Sequence, residues 1–202
     1  MSISGQRFGS FFLVKKYAGD SKNFVFATSR SAETPESTQN ISYISGIDVA
    51  SESAGATLVS HLKAAKRSPD TVIITAGYFG TESFDEPKWA DEIKMYTTSA
   101  VGPVFLVHHL IKAGLMQEGS KIMLVSSESG REHHLEARER RRRDTAELGP
   151  EGKGIAVGIV HPGFMRTEMT QGVGFDKFWE EGGAVRPDEA AASLIDFIDK
   201  LA

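Results

Sequence analysis

The chain has no cysteine among its 202 residues. That removes a disulfide framework, a thiolate nucleophile and any sulfur-ligated metal site, and it suits a reducing compartment, so the cytosol is the expected location. No apolar run approaches the ~18 residues that a membrane span needs. The opening residues Met1-Ser2-Ile3-Ser4-Gly5 lack the basic-then-apolar pattern of a secretory leader. Charge of one sign is not in excess either: the formal net charge is −4, which makes neither nucleic acid nor a membrane the expected partner. Tyrosine is scarce, with only Tyr17, Tyr43, Tyr78 and Tyr96. What remains is the length and composition of one soluble domain with a sizeable core.

Several short apolar runs alternate with helical patterns. Residues 2–4 read as the tail of a strand, 23–28 as a second strand, 41–49 as a third, and 71–74 as a fourth. Ile122-Met123-Leu124-Val125 and the run at 155–160 make a fifth and sixth. Helical spacing covers 10–18, 52–66 and a long stretch from Pro87 to about Ala113. A last helix opens at Pro187-Asp188-Glu189, with proline in its first turn. Strands alternating with helices predict a parallel, doubly wound sheet in a three-layer α/β/α domain. No repeat or linker divides the chain, so residues 1–202 are expected to form one unit.

In such a sheet, ligands bind at the C-terminal edge of the strands, so the residues just after each strand are the candidates. Gly5 and Gly9 bracket a turn before the first helix, which suits backbone approach to a phosphate at a helix N-terminus; an ordinary strand-to-helix turn is the plainer reading. A third glycine near Phe11 is missing. The second strand ends in Ala27-Thr28-Ser29-Arg30. There Arg30 suits a 2′-phosphate better than free ribose hydroxyls, so a dinucleotide bound here is expected to be NADP; a solvated loop arginine is the alternative. Asp48 either accepts from an adenine amino group or caps a helix starting near Ser51. Thr75-Ala76-Gly77 allows close backbone approach or is a structural turn. Ser127 follows the fifth strand and can hydrogen-bond a carbonyl substrate. Pro162, Gly163, Met165 and Thr167 follow the sixth, where a rigid turn can hold a carboxamide or simply break the strand.

Taken in order, these residues resemble the short-chain dehydrogenase/reductase family across almost the whole chain. Gly5 and Gly9 stand where the family has T-G-x-x-x-G-x-G, and Asp48-Val49 matches its Asp-Val. Thr75-Ala76-Gly77 matches N-A-G with Thr for Asn, and Ser126-Ser127 matches a serine pair whose second member is catalytic. His161-Pro162-Gly163-Phe164-Met165-Arg166-Thr167 looks like the P-G-x-x-x-T segment that holds nicotinamide. Phe175-Asp176-Lys177-Phe178-Trp179 and Gly182-Gly183 look like fungal members. The resemblance implies a Rossmann-like fold and NADP(H)-dependent hydride transfer to or from a carbonyl or alcohol of a small molecule, in fungal secondary metabolism. It leaves a homo-oligomer open.

The family's Tyr-x-x-x-Lys pair is absent. No tyrosine lies between Ser127 and Pro162, none of the four has Lys four residues on, and Ser99 takes the place of a helix asparagine. Residues 131–144 occupy that ground instead, opening Arg131-Glu132-His133-His134 and carrying Arg140-Arg141-Arg142-Arg143. Four readings compete for them: a basic patch, two histidine metal ligands, a histidine substituting as acid/base, and a solvated island left by a shifted reading frame or intron boundary. A family member that binds NADP or a partner without turnover is therefore the second expectation for function.

Overall fold

The computed structural model describes residues 2–3, 9–80, 83–126 and 154–201. Six parallel strands form one sheet in the order β3-β2-β1-β4-β5-β6. They are β1 (Ser2–Ile3), β2 (Val25–Thr28), β3 (Ile41–Ile44), β4 (Thr71–Ile74), β5 (Lys121–Val125) and β6 (Ala156–Val160). The first three strands run outward from the middle of the sheet in one direction and the last three in the other. The switch therefore lies between β1 and β4, where a crevice opens in sheets of this kind. The strand ends are level: Thr28 pairs with Ile3 and Ile44, Ile74 with Ile3 and Leu124, and Val125 with Val160.

Strand alternation assigns the two cores. Successive side chains point to opposite faces, so Val72, Ile74, Ile122 and Leu124 pack on one side with Leu58 and Leu62 of α2 (Ala54–Ala64) and Leu106 and Leu110 of the helix before β5. Ile73 and Met123 face the other side, against Leu13 of α1 (Gly9–Ala18) and Ala191, Leu194 and Ile198 near the C-terminus. A helix layer on each face completes three layers, as the strand–helix alternation predicts.

The long helical stretch is three segments: α3 (Trp89–Tyr96), a π turn (Thr97–Val101) and α4 (Gly102–Lys112). The break has a local cause. Pro103 has no N–H to give the carbonyl four residues back, and Gly102 N–H bonds Thr97 O, five residues back. Gly102 is also where the helix meets the sheet edge: a Cβ there would lie 2.0 Å from Val49 O. Among the described residues, the remaining α-helices are α5 (Glu168–Gly172) and α6 (Pro187–Lys200).

The third strand is shorter than the sequence pattern implies. It ends at Ile44, and Gly46, at φ +71°, turns the chain back across the strand ends. Ile47 N–H then bonds Ser29 O (2.9 Å) and Gly46 N–H bonds Ser31 O (3.2 Å). The buried Ile47 and Val49 therefore belong to a loop anchored over the sheet edge and not to a strand. Asp48 caps no helix near Ser51: α2 starts at Ala54 with Ser53 at its N-cap, and Asp48 Oδ1 accepts from Ala50 N–H (3.1 Å).

Candidate functional site

Two cavities open at the C-terminal edge, on either side of the segment that follows β4. The first, about 110 Å³, is lined by Arg30, Ile47, Asp48, Val49, Ala76, Gly77, Tyr78, Lys94 and Thr98. The return of the chain at Gly46 creates it, because pairing of 44–47 with 29–31 sets Asp48 beside the loop that carries Arg30. Thus Arg30, Asp48, Ala76 and Gly77, nominated singly from four separate positions in the sequence, line one space.

Its opposite wall comes from α3 and the π turn. Tyr78 is held at both ends. Its N–H donates to Ser99 Oγ (3.2 Å) and its hydroxyl donates to Asp91 Oδ1 (2.9 Å). Lys94 Nζ then lies 4.4 Å from the centre of the Tyr78 ring, within reach of a cation–π attraction. Ser99, singled out as the residue in place of a helix asparagine, is therefore a tether for the loop after β4. Lys94 carries no motif; it comes one turn of helix before Thr98, and only the packing of α3 reveals it.

The second cavity, about 120 Å³, is lined by Ser10, Leu13, Thr75, Val125, Pro162, Met165, Thr167, Glu168 and Met169, with Pro187, Ala190, Ala191 and Leu194 of α6. It is mostly apolar, with the Ser10 and Thr75 hydroxyls bonded to each other at 3.0 Å. Three of the nominated residues, Pro162, Met165 and Thr167, reach it. Gly163 does not line it; at φ +85° it makes the turn that only glycine adopts without strain. Thr167 caps α5: its Oγ1 accepts from Thr170 N–H (3.3 Å), while its own N–H donates to Thr170 Oγ1 (3.1 Å).

Residues 163–185 are organised around Thr170. Besides the capping box, Thr170 Oγ1 donates to Met165 O (2.8 Å) and accepts from Trp179 Nε1 (3.2 Å). A parallel bridge joins Met165 to Val185. Arg166 spans the unit, giving Nε to Ala184 O (3.0 Å) and Nη1 to Glu180 Oε1 (2.8 Å). The Phe175 ring meets Phe79 at 6.1 Å and Phe178 at 6.3 Å, so the segment after β6 touches the loop after β4 through aromatic faces.

Gly5, Ser127 and residues 131–144 lie outside the described residues; Gly9 is the first residue of α1. Of the tyrosines, Tyr43 is on the outermost strand, Tyr96 is exposed, and Tyr17 has a buried hydroxyl with no hydrogen-bond partner among the described residues. Burial, with the Asp199 carboxylate nearby, pushes the Tyr17 phenol up to about 12. Among the described residues no cluster of three or more His, Asp or Glu could hold a metal ion, and no helix is long and apolar enough to cross a membrane.

A doubly wound sheet with paired cavities at its switch point is the architecture of dinucleotide-binding folds. The residues present suit such a group in its adenosine half: guanidinium and ammonium on one cavity, a carboxylate, and the close-approach backbone of Ala76 and Gly77. Among the described residues, the buried Thr28 Oγ1, at the end of β2, also lacks a hydrogen-bond partner.

Comparison with solved structures agrees on the fold. A short-chain dehydrogenase family protein from Francisella tularensis superposes with a TM-score of 0.79 at 14% identity, over 98% of this chain and 90% of that one. A short-chain dehydrogenase/reductase from Serratia marcescens gives 0.79 at 19%, over 98% and 88%. An NADPH-bound carbonyl reductase from chicken fatty liver gives 0.74 at 20%, over 100% and 91%. The fold is thus the one that short-chain dehydrogenase/reductases have. No protein-family profile and no curated protein sequence matches the chain.

Proposed function

We propose that the chain binds NADP(H) along its strand-end edge and acts as an oxidoreductase on a carbonyl or alcohol of a small molecule. The observation that carries this reading is the single cavity shared by Arg30, Asp48, Ala76 and Gly77. An arginine there can donate to a phosphate, and a carboxylate can accept from an adenine amino group, as a phosphorylated adenosine requires. The dinucleotide, when bound, supplies the hydride donor or acceptor. On the protein side, Pro162, Met165 and Thr167 wall the second cavity. Ser127, by its resemblance to the family's catalytic serine, polarises the substrate oxygen. The fungal metabolic setting rests on the resemblance of residues 175–183. A cytosolic location accords with the absence of cysteine.

A second reading, binding without turnover, is favoured by the tyrosines. Tyr78, which reaches the site, has its hydroxyl committed to Asp91, and none of the four has lysine four residues later. Lacking a positioned general acid costs about 10²–10⁴-fold in rate. Two measurements on the full chain separate these readings. NADPH at 100 times its dissociation constant adds about 2.7 kcal/mol of stability, and a thermal shift reads it. NADPH consumption with a panel of ketones reads turnover. A shift with consumption supports the oxidoreductase; a shift without it supports the non-catalytic binder; no shift defeats both.

A further inference from the structure

We infer that the open edge of the sheet at β6 pairs with β6 of a second copy of this chain, antiparallel and about a two-fold axis at Gly158. Among the described residues the sheet has two edges, β3 and β6, and they differ in what meets them. At β3, backbone groups that point away from β2 are engaged by the preceding loop. Thr38 N–H donates to Ile41 O (2.8 Å), and Tyr43 N–H donates to Ser37 Oγ (3.0 Å). That edge is closed to another strand at those positions.

At β6 the corresponding groups are open. Ala156 N–H donates to Ser120 O (2.9 Å), and Val160 O accepts from Ser126 N–H (2.7 Å). Bonding to β5 therefore uses Ala156, Gly158 and Val160, in the register that sets Lys121 against Ala156. The alternate residues, Val157 and Ile159, direct their N–H and C=O groups away from the sheet. Among the described residues nothing bonds to those groups. The strand also carries none of the devices that protect an edge: Ala-Val-Gly-Ile-Val has no charge and no proline. All five residues are half-buried, and Val157 and Ile159 are only partly covered by the core they pack against.

A second copy is the occupant because the edge is complementary to itself. Val157 and Ile159 flank Gly158 symmetrically. A two-fold axis through Gly158 sets each Val157 opposite the partner's Ile159, and antiparallel residues so placed exchange both backbone bonds. Their β-branched side chains then lie side by side on one face. On the axis the two Gly158 backbones approach with no side chain between them. On the other face of the sheet the half-buried Val160, Ile195 and Leu201 extend the apolar margin. A five-residue edge is short, so a dimer that dissociates at about 10–100 µM is expected.

The test is sedimentation velocity of the full chain from about 5 to about 500 µM, with amide hydrogen exchange read by mass spectrometry over the same range. The wild type is expected to pass from monomer to dimer, with protection of residues 156–160 rising in step. Val157→Pro removes one outward N–H and no bond to β5. It is expected to keep the fold and to raise the dissociation constant about ten-fold or more. Val157→Thr keeps the N–H and the branching at Cβ, and is expected to stay within about three-fold of wild type. A monomer throughout overturns the inference, and so does equal weakening by the two variants. A dimer in which residues 156–160 gain no protection has formed through another surface and also overturns it. So does a monomer protected there at every concentration, in which another segment of the chain covers the edge. If Val157→Pro does not fold, the concentration dependence of the wild-type protection decides alone.

Discussion

Gly102→Ala changes one hydrogen to a methyl where helix and site meet. In an open helix the exchange stabilises, because glycine costs roughly 0.5–1 kcal/mol relative to alanine. Here the new Cβ would stand 2.0 Å from Val49 O and 2.8 Å from the Val49 carbonyl carbon and Cγ1. A carbon–oxygen contact normally sits near ~3.3 Å, so backbone on one side or the other must retreat by roughly 1 Å. Neither side is loose: Gly102 and Val49 are both buried, and Leu106 and Leu110 fix α4 in the core. Overpacking of this kind costs about 1–3 kcal/mol. For a chain of this length each kcal/mol moves the melting temperature by about 2–4 °C, so a fall of roughly 2–12 °C is expected by calorimetry or circular dichroism. Gly172→Ala is the control. That glycine ends α5, has nothing within 4 Å of its added Cβ, and does not have a positive φ. It is expected to stay within about 0.5 kcal/mol of wild type. If Gly102→Ala melts at or above the wild-type temperature, α4 does not press on Val49, and the account of how the helix sets the cavity wall is wrong.

Other consequences are as direct. Tyr17→Phe removes a buried hydroxyl that has no partner among the described residues, so it is expected to be at least as stable as wild type at pH 7. The phenol is raised from its ordinary value of 10.0 to about 12 in the folded chain. The folded state therefore keeps a proton that the unfolded state releases above pH 10. Stability from this group is complete below pH 10 and is lost as pH rises from 10 to 12. Urea titrations at pH 8 and 11 are expected to show a smaller loss in the phenylalanine variant than in wild type; equal losses would refute the assignment. Thr170→Val removes the hydroxyl that serves Thr167 N–H, Met165 O and Trp179 Nε1. A loss of about 1–3 kcal/mol is expected. In a Trp89→Phe background the emission of Trp179 is expected to shift to the red, and an unmoved spectrum would show that Thr170 is not the centre of that unit.

The loop after β4 and the segment after β6 meet through Phe79 and Phe175.

Much of the fold was legible beforehand for an elementary reason. Short apolar runs ending in small or polar residues, separated by helical spacing, leave few solutions other than a buried parallel sheet, and β2, β4, β5 and β6 fall within or close to the expected runs. The third strand was overextended because Ile47 and Val49 are apolar and buried, which resembles strand character; only the positive φ of Gly46 shows that they belong to a return loop. The π turn was invisible because helical periodicity over 87–113 tolerates one inserted residue.

By itself the sequence determined the layered class, the edge at which candidate residues gather, and the absence of a Tyr-x-x-x-Lys pair. These follow from local pattern and residue identity. Tertiary structure alone decided which candidates share a space. It joined Arg30 to Asp48 by folding 44–47 back along 29–31, turned Thr167 into a helix cap, and brought Lys94 to the cavity on the face of Tyr78. Proximity between residues far apart in the chain is a property of packing, and no spacing rule along the sequence encodes it.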